Sequence, residues 1–262
     1  MTRNIKLAVW HGLVALFAWR LWLFSGTVSF NSVIGFDLSL PAVLIFILLC
    51  SFIATGYVLF QEKRWALAVS AAVGLTFLAY LGWTWLNILA VIGFWLFNVY
   101  AVSNAKSNMH GRIRLNVRLA LLSSLYPVVI GFFLMFSFAA YQSDILNDIK
   151  KSQRLPSQAQ EAIRQFAKEF VGPRIEGTQK EKETAINQVS NETFNEINRF
   201  LKPFFTSAPP VLAFTLFLIL LGVSWIFVWL SMLTGLLIFF ILKKSNFIRV
   251  EKKQVEAETI II

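Results

Sequence analysis

Charge is scarce in this chain. Asp, Glu, Lys and Arg make up only 15% of its 262 residues, against about 25% in soluble domains. The charges that exist sit in short blocks, with long uncharged runs between them. An ordinary water-soluble domain is thereby excluded. Thiol and imidazole are scarcer still. Cys50 is the single cysteine, so no intrachain disulfide can form. With His11 and His110 as the only histidines, a metal site built from His and Cys alone lacks ligands. The GxSxG, HExxH and CxxC patterns, the Walker A loop and the dinucleotide glycine fingerprint are all missing. No cofactor, no metal and no catalytic residue set are expected.

What is present is apolar: 57% of the residues are hydrophobic, 15% are aromatic, and the mean hydropathy is +0.65. This composition predicts an all-α, polytopic, integral membrane helical bundle. Runs long enough to cross a bilayer need about 20 residues. They lie at 7–24, 40–60, 65–81, 84–102 and 119–141, and a last one covers 208–244. The start, MTRNIK before an apolar run, has the form of a signal peptide. ALFAWR and LFSG are poor cleavage sites, so a permanent first span is expected.

The excess of Lys and Arg on the cytoplasmic side orients such a bundle. Arg3 and Lys6 precede the first run, Lys63 and Arg64 follow the second, and Lys106, Arg112, Arg114 and Arg118 lie in the 103–118 connection. Lys243, Lys244, Arg249, Lys252 and Lys253 follow the last run. The alternate connections carry almost nothing; Asp37 is the only charge in 25–39. This parity predicts six spans with both termini in the cytoplasm. It also accounts for the net charge of +10 without a nucleic acid partner.

The last run is overlong. From Ser207 to Leu242 no residue is charged, a length of about 54 Å as a helix. Two crossings would need more residues and a polar turn, and would put the basic tail, 245–262, outside. One long, tilted helix is expected.

Between the fifth and sixth spans lies the one polar domain, 142–207, placed outside the cytoplasm by the same parity. Ser157 with Gln160, and Thr178 with Glu181, form capping-box patterns. Behind them Ala159, Ala162, Ile163, Phe166, Ala167 and Phe170 recur at helical spacing, as do Ile186, Val189, Thr193, Ile197 and Phe200. Two amphipathic helices are expected, their apolar stripes packed on each other, on the membrane surface or on a partner.

Ionisable groups inside a span mark functional candidates. The first span, WHGLVALFAWRLW, holds His11 and Arg20. They point to opposite sides of a helix and cannot form one site. Arg20 is read as an interfacial anchor between Trp19 and Trp22, or as the partner of Asp37. Trp10 is expected to anchor the inner end. Asn87 and Asn98, eleven residues apart, return to within about 20° of one stripe. They are candidates for a polar inter-helix contact or a polar pathway. Ala66, Ser70 and Gly74, and Ser231 with Gly235, are spaced for close helix packing.

The sum of these features favours a non-catalytic membrane subunit or scaffold. It would meet lipid along its spans and bind a protein partner, or its own copies, through the outer helices and tail. A channel or transporter component is the alternative, and a membrane-embedded enzyme the third.

Overall fold

A computed structural model describes residues 3–27, 40–109, 116–142, 155, 157–170, 172, 178–205, 208–245 and 247–248. Among them every regular element is helical: α1 (Arg3–Thr27), α2 (Leu40–Phe60), α3 (Lys63–Leu81), α4 (Trp85–Met109), α5 (Val117–Tyr141), α6 (Ser157–Phe170), α7 (Gln179–Leu201) and α8 (Ala208–Lys244). A 3₁₀ turn, Lys202–Phe204, follows α7. Six of the helices, α1 to α5 and α8, are long and apolar enough to cross a membrane. The chain is thus an all-helical membrane protein over its described residues.

Contacts divide the chain into two compact units. The first comprises Met1–Ser25, Leu40–Met135 and Leu220–Ile262, and the second Gly26–Ser39 and Phe136–Ile219.

In the first unit one aromatic side chain or more comes from each of the six spans. Phe132 of α5 lies 6.3 Å from Trp22 of α1, 5.5 Å from Phe46 of α2 and 4.7 Å from Phe94 of α4. Trp22 also meets Phe77 of α3 at 4.9 Å, and Phe46 meets Phe227 of α8 at 5.4 Å. All five pairs are tilted or edge-to-face, the arrangements that ring quadrupoles favour. Hydrocarbon tails are as apolar as the side chains, so shape and close contact hold such a bundle together.

Short connections fix the neighbours. Between α2 and α3, Gln61 takes a left-handed backbone (φ 52°), and its amide N–H donates to Tyr57 O at 3.1 Å, ending α2. Between α3 and α4, Gly82 has φ 89°, a conformation that glycine adopts without steric cost. Thr84 then caps α4 by accepting from Asn87 N at 3.2 Å. Asn116 does the same for α5 through Leu119 N, at 3.0 Å.

Not every helix stops where its apolar run does, and the fourth passes 102. Helix α4 continues to Met109, because its polar extension is satisfied by packing: Ala105 is buried, and Asn104 Nδ2 donates to Ser123 O of α5 at 3.3 Å. Nor do the tryptophans of the first span all serve as interfacial anchors. Trp10 and Trp22 are buried, 4% and 1% exposed, whereas Trp19 stands half open against Tyr80. Helix α8 is continuous over 37 residues, about 55 Å; Gly222 and Gly235 do not interrupt it.

The second unit contains α6 and α7, packed as a pair. Asn191 Oδ1 of α7 accepts from Gln160 Nε2 at 2.9 Å, and Asn198 Oδ1 accepts from Leu155 N at 2.7 Å. Ala167 and Ile186 are buried. Gln160 thereby donates to the neighbouring helix; the Ser157 side chain of its expected capping box lies outside the described residues. The Thr178 box does form: its backbone N–H and its hydroxyl donate to Glu181 Oε2 at 2.8 and 2.9 Å. The stripe on α6 splits, with Ala167 inside and Phe166 and Phe170 outside.

Candidate functional site

The polar atoms inside the first unit form the best-defined constellation in the molecule. Helix α4 carries both candidate asparagines on its buried face, Asn87 1% and Asn98 0% exposed. They are not joined to each other. Asn98 Oδ1 accepts from the Tyr57 hydroxyl of α2 at 2.5 Å, and its Nδ2 donates to Phe94 O at 2.7 Å. Asn87 Nδ2 donates to Leu81 O at 3.0 Å and Gly82 O at 2.9 Å, the last carbonyls of α3 and its turn. One residue thus ties α4 to α2 and the other closes the α3–α4 corner.

Further polar ties run between other pairs. Trp10 Nε1 of α1 donates to Phe52 O of α2 at 3.1 Å. Ser51 Oγ of α2 donates to its own helix at Ile47 O, 2.6 Å, or across to Ser231 O of α8 at 2.9 Å. At the start of α1, Lys6 Nζ donates to Phe247 O at 2.5 Å and lies 4.7 Å from that residue's ring centre. The segment just past α8 therefore meets the first turn of α1.

The small residues sit at close approaches. Ala66, Ser70 and Gly74 are all buried on α3. A Cβ placed on Gly74 would come within 2.5 Å of Val91 Cγ1 on α4. Ser231 is buried on α8, and a Cβ on Gly235 would meet Leu121 of α5 and Thr55 of α2 at 3.4 Å. Arg20 is exposed; Asp37 lies outside the described residues, and so does the tail from 249 onward. His11 is half-buried and placed on the side of α1 that faces Trp65 of α3, with ring centres 5.2 Å apart.

Among the described residues no three of His, Cys, Asp and Glu gather where they could hold a metal. Arg64 pairs with its near neighbour Glu62 while lying 5.0 Å over the Trp65 ring, and Arg164 pairs with Glu161 at 3.8 Å on the surface of α6. Neither arrangement brings an acid, a base and a nucleophile together. Glu181, at the start of α7, has its carboxyl held below the ordinary range, first by the Thr178 backbone N–H and then by the Thr178 hydroxyl. That is the signature of a capped helix.

Sequence reasoning missed Tyr57, Ser51, Trp10 and Asn104 as contact residues. The usable signal was a polar atom inside an apolar run, but none of the four announces its partner, which lies 19 to 180 residues away.

No family model, no curated protein and no solved structure matches the chain.

Proposed function

We propose that this protein is a non-catalytic membrane subunit, with both termini in the cytoplasm and 142–207 outside, that binds another protein through its α6–α7 pair. The observation that carries this reading is the uncovered aromatic surface of that pair. Phe166 and Phe170 stack with ring centres 5.5 Å apart and are 66% and 58% exposed. Phe200 and Phe204 form a second open pair. Paired rings left in water forgo a burial term of about 25 cal/mol per Å², and such patches mark contact surfaces. The orientation rests on the alternation of basic and uncharged connections.

A channel or transporter reading would need a polar path. Asn87 and Asn98 direct their amides at backbone carbonyls and Tyr57, which favours inter-helix glue along that stripe. An enzyme reading would need converging ionisable groups, and the described ones are scattered.

The test is the mass and composition of the particle extracted in mild detergent, for the natural chain and for Phe166→Ser/Phe170→Ser. A stoichiometric companion chain that the double variant loses, with its own helicity and melting unchanged, is the expected result. A lone chain or a symmetric homo-oligomer in both preparations would overturn the reading.

A further inference from the structure

His11 and Trp65 hold two covered polar atoms of opposite kind. His11 Nδ1 lies 2.8 Å from Leu7 O, one turn back on α1, so this nitrogen carries the hydrogen and donates it. In the neutral ring Nε2 is then an acceptor only. It is covered and meets no donor among the described residues. Trp65 Nε1, a donor only, is covered as well and meets no acceptor among the described residues. An unmade hydrogen bond at a covered atom is expensive, and more so away from water.

Both residues line one small cavity between α1, α2 and α3, together with Gly56, Tyr57 and Val69. About 10 Å³ of it is open to the centre of a water molecule. That is room for a single water and for no organic ligand. Trp10, also in the wall, is no competitor, since its Nε1 already donates to Phe52 O. Tyr57 gives its hydrogen to Asn98 Oδ1, which leaves the phenolic oxygen able to accept.

We propose that this cavity is a binding site for one structural water, which accepts from Trp65 Nε1 and donates to His11 Nε2 and to the Tyr57 oxygen. Three polar partners is the usual complement of a buried water. The water extends the Tyr57–Asn98 bond into a chain that touches α1, α3, α2 and α4. His11 thereby acts as an acceptor that seats the water, and its place in an apolar span is explained without a reaction.

The test uses the full chain in lipid nanodiscs with ¹⁵N-labelled tryptophan, the Trp65 indole signal being assigned with Trp65→Phe. A rotating-frame dipolar cross-peak between water and the Trp65 indole hydrogen, opposite in sign to one from chemical exchange, is expected. Val69→Ile adds a methyl to the cavity wall and displaces the water. It should abolish the cross-peak and lower the melting temperature, by roughly 2–4 °C. Filling a dry void would do the reverse, because it adds contacts and orphans nothing. No dipolar cross-peak in the natural chain, or a melting temperature that holds or rises in Val69→Ile, would overturn the proposal.

Discussion

The Tyr57 hydroxyl donates to Asn98 Oδ1 at 2.5 Å, from the last turn of α2 to the middle of α4, with both side chains wholly buried. Asn98 completes its bonding through Nδ2 to Phe94 O on its own helix. The pair is a cross-helix clamp between buried side chains, and it fixes how α2 and α4 register along each other.

The two halves of that clamp depend on each other. Tyr57→Phe should cost about 1–3 kcal/mol, because it leaves Asn98 Oδ1 buried without a donor. Asn98→Leu should cost a similar amount by stranding the hydroxyl. The double variant should recover about 0.6–1.7 kcal/mol of the sum, the range of inter-helix hydrogen bonds measured in membranes. Unfolding of the four proteins by SDS titration checks this. Strictly additive losses would mean that the bond adds nothing of its own.

Gly74 offers a purely steric prediction. A Cβ there would stand 2.5 Å from Val91 Cγ1, and valine has little rotameric freedom in a helix. Gly74→Ala should therefore destabilise by about 1–3 kcal/mol, the usual penalty of overpacking, by pushing α3 away from α4. Adding Val91→Ala should restore most of it. The melting temperatures of both variants in one detergent decide the matter; an unaffected Gly74→Ala would show that the two helices have slack.

These two sites also show how far the sequence could be read. The spans were legible because an apolar run of about 20 residues has few other fates, and Gly74 was flagged by its spacing from Ser70 and Ala66. The partner was not. Val91 is one apolar residue of many, and nothing local selects it. Asn98 was legible as a polar atom in a span, but Tyr57 looks like any other aromatic in such a run. The extension of α4 to Met109 escaped for a different reason. Hydropathy records apolarity, whereas Asn104 and Asn108 stay helical by bonding Ser123 O and Asn104 O. On α6 the stripe marked an apolar face, but its width exceeds what one neighbouring helix covers, so Phe166 and Phe170 fell outside.

Acid should act on the start of α7. Glu181 accepts from the Thr178 N–H and hydroxyl, which lowers its carboxyl pKa in the folded chain below the unfolded value. A depressed folded value means that the stabilisation is present above the unfolded pKa and is lost as pH falls through the folded one. The amides of the first turn of α7 should then lose hydrogen-exchange protection as Glu181 protonates, while α2 and α4 do not respond. Thr178→Ala should move the Glu181 titration, followed by ¹³C NMR, back up towards the ordinary glutamate range. A Glu181 that titrates at the ordinary value in the natural chain would contradict the cap.

Asn87 decides between corner latch and polar path. Its Nδ2 reaches Leu81 O and Gly82 O, and carbonyls at a helix end have no partner within the helix. A latch needs donors. Asn87→Leu removes both and should cost about 1–3 kcal/mol. Asn87→Asp should cost more, because an ionised carboxylate only accepts and would face two carbonyl oxygens. A path needs only polarity, so on that account Asn87→Asp would be tolerated and Asn87→Leu would abolish flux without altering stability. Melting temperatures of both variants, with hydrogen exchange across 81–87, separate the two accounts. An order of natural chain, Leu, Asp from most to least stable, with exchange rising at the α3–α4 corner, is the latch. Equal stability for all three would remove Asn87 from the fold's framework and return it to the candidates for transport.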